Sequence, residues 1–172
     1  SKKYGINLVD GSFEKVKGGS LRLIFRKQKN LQTNKKIKKL INKEEKKLQI
    51  KQSFKKLRHL NNTNMKKIHD YLEKNKISKI IGFGASVGTT TMVYDFKLTN
   101  KIAYIFDNEK KRNNMYLPNT NIQVKLPNKL KKKQTILVFA WRYFKNIVKR
   151  NKTLFPKGTK FILPLPKFKI IK

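Results

Sequence analysis

Ile80-Ile81-Gly82-Phe83-Gly84-Ala85-Ser86-Val87-Gly88-Thr89-Thr90-Thr91, followed by the apolar run Ile102-Ala103-Tyr104-Ile105-Phe106 and closed by Asp107, is the stretch that decides how this chain is read. An apolar strand, a glycine-bearing turn, a helix over about 89–96 and a second apolar strand make one βαβ unit. Gly82 and Gly84 let the backbone turn sharply and approach a ligand, and Gly88 is expected to let helix and strand pack tightly. The amides that open the helix, from Ser86 to Thr91, face an anion under the helix dipole. Asp107, at the end of the second strand, stands where a carboxylate accepts from a ribose hydroxyl. The sequence signature therefore points to a nucleotide or nucleotide-linked ligand, and the bland alternative is a strand-to-helix turn that binds nothing.

The same alternation continues to the C-terminus. A loop with Tyr116-Leu117-Pro118 precedes an extended piece at 122–124, a strand at 135–140, a helix at about 143–150 and a final strand at 161–163 ended by Pro164 and Pro166. Alternating elements of this length predict an α/β fold, a Rossmann-like, mainly parallel sheet with helices on both faces. Ligands of such sheets bind beyond the carboxyl ends of the strands, which gathers 82–90, Asp107, Trp141 and Arg142 around one crevice.

Ahead of it, residues 4–10 and 20–27 are strand candidates separated by a link with Gly11, Gly18 and Gly19. Two strands do not make a stable sheet in water, so they read as an orphan antiparallel pair, the edge of a sheet completed elsewhere. From about 35 to 76 the spacing is helical. Ile37, Leu40, Ile41 and Leu48 form one stripe, and Phe54, Leu57, Met65, Ile68 and Leu72 another, with residues 61–64 expected to loosen the middle. The resulting division is a strand pair at 1–30, a helical connector at 31–76 and a Rossmann-like domain at 77–172.

Lys and Arg number 44 against nine Asp and Glu, a formal net charge of +35. Such a balance ordinarily suggests nucleic acid. Here the cations are overwhelmingly Lys, Arg is confined to six positions, and Ala to three, so the excess of Lys, Asn and Ile follows AT-rich codons. No specific nucleic-acid partner is expected, and no interleaved aromatic platform supports one. There is no cysteine, which excludes thiolate metal sites, and His59 and His69 lack the spacing of a metal pair. No apolar run reaches membrane-spanning length and no secretory signal is present, so a soluble, cytoplasmic chain without a membrane partner is expected. The opening at Ser1 suggests a fragment.

Five motifs in order carry a resemblance: the 84–91 turn, Asp107-Asn108, Arg112 with Tyr116-Leu117-Pro118, Leu137-Val138-Phe139-Ala140-Trp141-Arg142-Tyr143, and Phe161-Ile162-Leu163-Pro164-Leu165-Pro166. Together they resemble the C-terminal domain of the sugar-nucleotide C-methyltransferases. Gly18-Gly19-Ser20-Leu21-Arg22 is similar to the segment that closes the family's central methyltransferase domain. The resemblance implies methyl transfer from S-adenosylmethionine to a carbon of a keto-deoxysugar carried on a nucleoside diphosphate. It implies that Gly84, Ala85, Ser86, Gly88, Thr89, Thr90, Asp107, Arg112, Tyr116, Trp141 and Arg142 help to bind the nucleotide-sugar. It further implies that the S-adenosylmethionine pocket, a cysteine-rich zinc module and a His-Glu-His stretch supplying the base lie upstream of Ser1, in a partner domain. The chain departs from the family at Lys17, often His, at Asn119, often Gly, at Arg112, often Lys, and within the turn, where many members carry a Lys.

Within the chain itself no His falls on the crevice, so a catalytic base is not assigned. Asp107 reads first as a ribose or structural contact. Two alternatives remain on the residues alone: a free-standing NAD-type nucleotide-binding module, and a glycine turn that is itself the methyl-donor site.

Overall fold

The computed structural model describes residues 4–15, 19–28, 34–47 and 50–171, and Lys17, Gly18 and Leu48 lie outside them. The chain divides into two compact units, 1–57 and 58–172.

In the first, β1 (Ile6–Glu14) and β2 (Ser20–Lys27) pair antiparallel from Ile6↔Lys27 to Glu14↔Ser20. Gly11, expected in a link, lies inside β1. A Cβ there would stand 3.1 Å from both Ile37 Cδ1 and Leu23 Cδ2, so glycine is what lets α1 (Lys35–Lys47) lay Ile37 on the strands. Ile37 is fully buried, and Lys36 Nζ reaches Asp10 at 3.4 Å. The Gly11 amide, seconded by Lys36, holds the Asp10 carboxyl below its usual range. Phe13 and Phe25 stay 64% and 49% exposed, since two strands leave much of their apolar surface uncovered.

The second unit is a six-stranded sheet in the order β5-β4-β3-β6-β7-β8. Its strands are β3 (Ile80–Phe83), β4 (Ile102–Phe106), β5 (Gln123–Lys125), β6 (Thr135–Val138), β7 (Lys160–Leu163) and β8 (Lys169–Ile171). All neighbours are parallel except β7 and β8, and this antiparallel edge strand beyond the prolines is an addition to the expected sheet. α3 (Val87–Asp95) connects β3 to β4, and α4 (Phe144–Arg150) connects β6 to β7. Side chains alternate across the sheet with the period of two. Ile80, Ile105, Leu137, Phe139 and Ile162 pack with Val93 of α3 and with Ile68 and Leu72 of α2 (Ile50–Lys74). Ile81, Phe83, Phe106, Ile136, Val138 and Phe161 pack with Ile147 of α4. Helices thus cover both faces, and the α/β expectation holds.

The helical segment contributes side chains to the sheet. Ile68 and Leu72 belong to the core of the sheet, and the compact unit starts at Arg58 rather than 77. Residues 61–64 do not interrupt α2, because the buried Asn64 is anchored: its Nδ2 donates to the Pro166 carbonyl, and its Oδ1 accepts from the Phe168 N–H. His69 Nε2, 2.8 Å from the Phe96 carbonyl, ties the same helix to the end of α3. Phe54 and Leu57, from the same expected stripe, are 64% and 52% exposed.

Truncating a fully buried aliphatic chain forfeits transfer energy and leaves a cavity, so Ile68→Ala should lower stability by about 2–5 kcal/mol in urea unfolding of the full chain. A helix that merely connected would lose a few tenths, and that result would remove α2 from the sheet's core.

Candidate functional site

The site grows from the end of β3. The Phe83 carbonyl accepts from both Phe139 N–H at 2.9 Å and Ala140 N–H at 3.3 Å, which draws the end of β6 against the turn. Gly84 has φ +94, and a Cβ there would fall 2.6 Å from the Cβ of Ala140. At Gly82 a Cβ would meet Ile105 and Phe139 at 2.8 Å. Both glycines therefore serve close internal packing and the turn. Gly88 shows the opposite of its expected role, since the nearest atom to a Cβ there is Ser86 Oγ at 3.7 Å. It packs against no strand and faces open space at the head of α3.

Within the turn, Thr89 is 1% exposed. Its hydroxyl donates to the Gly84 carbonyl at 2.7 Å and accepts from the Ser86 N–H at 3.0 Å, fastening the loop from inside. Asp107, 8% exposed, is a second fastening. Its Oδ2 accepts from Ala85 N–H at 2.6 Å and from Arg112 Nη1 at 3.0 Å, while Oδ1 accepts from Glu109 N–H at 2.8 Å. A carboxylate holding three hydrogen bonds from its own chain is a structural hub first. Among the described residues, the N–H groups of Val87 and Gly88 are left without a protein acceptor, as the first amides of a helix are. Val87 itself is 87% exposed.

Beside the turn is an open crevice of ≈ 370 Å³ lined by Phe83, Gly84, Asp107, Asn108, Ala140, Tyr143, Asn146, Ile147 and Arg150. It lies at the carboxyl ends of β3, β4 and β6, where the strand order reverses about β3. Of the expected site residues, Gly84 and Asp107 line it, Ala85 and Arg112 are bonded to Asp107, and Ser86, Gly88, Thr89 and Thr90 form the adjoining turn and helix head. Trp141 and Arg142 do not line it. The chain leaves β6 through a 3-10 turn, Trp141–Tyr143, in which the Arg142 guanidinium lies over the Trp141 ring at 4.4 Å. Tyr116 bridges Gln123 beside β5 and is 59% exposed. The crevice instead recruits Tyr143, Asn146 and Arg150. Their spacing of three and four, with Ile147 between, marks one face of a helix following a strand end, and that is the signal the sequence offers for them.

The chain has no cysteine, and among the described residues no three His, Asp or Glu are grouped as a metal site requires. Among the described residues no helix is long and apolar enough to cross a membrane.

Thr89→Val keeps the shape of the side chain but removes every hydrogen bond of the buried hydroxyl, the one shared with Ser86 Oγ at 3.2 Å included, and should cost about 1–3 kcal/mol in chemical denaturation. Gly88→Ala, projecting into open space within a helix, should cost nothing or add up to about 1 kcal/mol. Equal losses from the two changes would contradict this division of the turn into an inner and an open half.

A search among curated proteins gives no match. The family model described as the C-methyltransferase C-terminal domain matches residues 15–166, from the end of β1 across the whole six-stranded sheet but its last strand. The chain belongs to the C-methyltransferase C-terminal domain family.

Proposed function

We propose that this chain holds the nucleotide-sugar of a C-methyltransferase, a nucleoside-diphosphate keto-deoxysugar, while a methyltransferase domain upstream supplies S-adenosylmethionine and the base. One observation carries the reading: the only amides of the glycine turn that lack an acceptor among the described residues, Val87 and Gly88, stand at a helix head beside a crevice whose charge balance favours an anion. Asp107 is neutralised by Arg112, and Arg150, which also lines the crevice, has no ion-pair partner among the described residues. A diphosphate suits that balance. The sulfonium of S-adenosylmethionine, a cation, does not, so the residues here do not fit the methyl donor. Nor do they fit the zinc of an upstream module, for want of thiolates.

The NAD-type alternative needs an acidic side chain free for a ribose. Asp107 spends both oxygens on Ala85, Glu109 and Arg112, which weakens that reading. It equally argues against Asp107 as the base that removes a proton beside the sugar ketone. The chain is accordingly expected to bind and orient the substrate, holding its diphosphate so that the reacting carbon is presented to the donor.

A nucleoside diphosphate, or its sugar conjugate, should raise the melting temperature of the chain dose-dependently by mass action, and S-adenosylmethionine should not. The measurement belongs at about 0.3 M salt, where the Debye length is roughly 5–6 Å and general attraction to a lysine-rich surface is screened. Gly88→Asp places a negative charge at the helix head, where it favours the fold but repels a diphosphate, and should abolish the shift. A shift that survives this substitution would take the ligand off the glycine turn.

A further inference from the structure

The opposite edge of the same sheet carries a second open groove, of ≈ 420 Å³, lined by Tyr71, Asn75, Ile77, Lys79, Lys133, Gln134, Thr135, Lys157, Gly158 and Lys160. We propose that it is a second anion site, taking a small, multiply charged phosphate such as a pyrophosphate group. Four lysines line it from three places: Lys79 before β3, Lys133 before β6, and Lys157 with Lys160 around the start of β7. No carboxylate lines it, and among the described residues none of the four lysines is ion-paired.

This differs from a scatter of solvated lysines in being held by backbone. Lys160 N–H donates to the Gln134 carbonyl at 2.9 Å, and Thr135 and Lys160 are register partners, so the starts of β6 and β7 are fixed side by side. Gly158, at φ +88, turns the chain between Lys157 and Lys160, and a Cβ on it would lie 3.7 Å from Lys133 Cδ, so the Lys133 stem crosses that turn. Like charges so gathered repel one another, and an anion seated among them reverses the sign of the interaction. Lys is a point-charge phosphate binder, and a groove of this size exceeds what one orthophosphate fills. Among the described residues the buried hydroxyl of Tyr71, a residue that lines the groove, also lacks a protein partner.

The test uses the full chain, isotope-labelled, titrated with inorganic pyrophosphate at about 0.15 M salt, where the Debye length is roughly 8 Å. The amides of Thr135 and Gly158 should shift along a saturable curve. Because removing one charge-assisted hydrogen bond weakens binding by around a factor of ten, Lys133→Gln with Lys157→Gln should weaken that curve at least about tenfold. Lys38→Gln with Lys39→Gln, exposed on α1, removes the same charge elsewhere and should leave it within about twofold. Equal weakening by both pairs, or shifts that never saturate, would reduce the groove to general charge and overturn the proposal. The readout is independent of the crevice, since Gly84 and Gly88 report on that site separately.

Discussion

The close approach of β3 and β6 is the constraint on which the carboxyl edge of the sheet depends. Two amides of the β6 end converge on the single carbonyl of Phe83, and this leaves no room for a side chain at position 84. Because β6 comes so near, its continuation cannot run straight on, and it turns away in a 3-10 step that delivers α4 to the second face. The crevice is the gap left by that departure. Gly82, one pleat earlier, admits Phe139 and Ile105 beneath the same turn. A glycine-rich loop of this kind is thus shaped first by packing, and its capacity for a ligand is what packing leaves over.

Asp107 extends the constraint to β4. By accepting from Ala85 and Glu109 it joins the turn after β3 to the exit of β4, and Arg112 compensates its charge in a site only 8% exposed. A carboxylate in such a place is stable only when paired and hydrogen-bonded, so its three donors are a condition of its burial. The electrostatic consequence bears on the proposed ligand. With Asp107 compensated, Arg150 sets the sign of the crevice, and a guanidinium with five fixed donors suits phosphate oxygens better than a cationic or neutral ligand.

The sequence made the sheet legible because buried central strands, a glycine turn and a strand-helix alternation are local signals. The Gly82–Gly88 segment disclosed its turn in the same way, but not the division of labour within it. Whether a glycine is needed for a ligand or for a neighbouring strand depends on Ala140 and Phe139, more than fifty residues away, and no local pattern states that distance. Their place after a strand draws Trp141 and Arg142 toward the crevice in a sequence reading, but both sit in the 3-10 turn that leaves β6, and the residues that line the crevice are Tyr143 at its end and Asn146 and Arg150 on α4. The α2 segment shows a related limit. Helical spacing shows which residues share a face, but only tertiary contact shows that Ile68 finds a sheet while Phe54, on the same expected stripe, stays exposed.

Net charge discriminates least. A net charge of +35 attracts anions to the chain at long range, so affinity for an anion does not by itself identify a site. What separates one cleft from another is whether donors are fixed before the ligand arrives. At the carboxyl edge they are the Val87 and Gly88 amides, held by a helix whose first turn is fastened through Thr89 and Asp107. On the amino edge they are flexible ammonium groups whose backbone anchors alone are fixed. Preorganised amides lose little entropy on binding, whereas each immobilised lysine forfeits about 0.5–1.5 kcal/mol of side-chain freedom. The two edges should therefore respond differently to salt: attraction among mobile charges fades as the Debye length shortens, while short hydrogen bonds from a rigid turn persist. On that ground the glycine turn is the better suited to a substrate that must be held in one orientation, and the lysine groove to an anion recognised by charge and size.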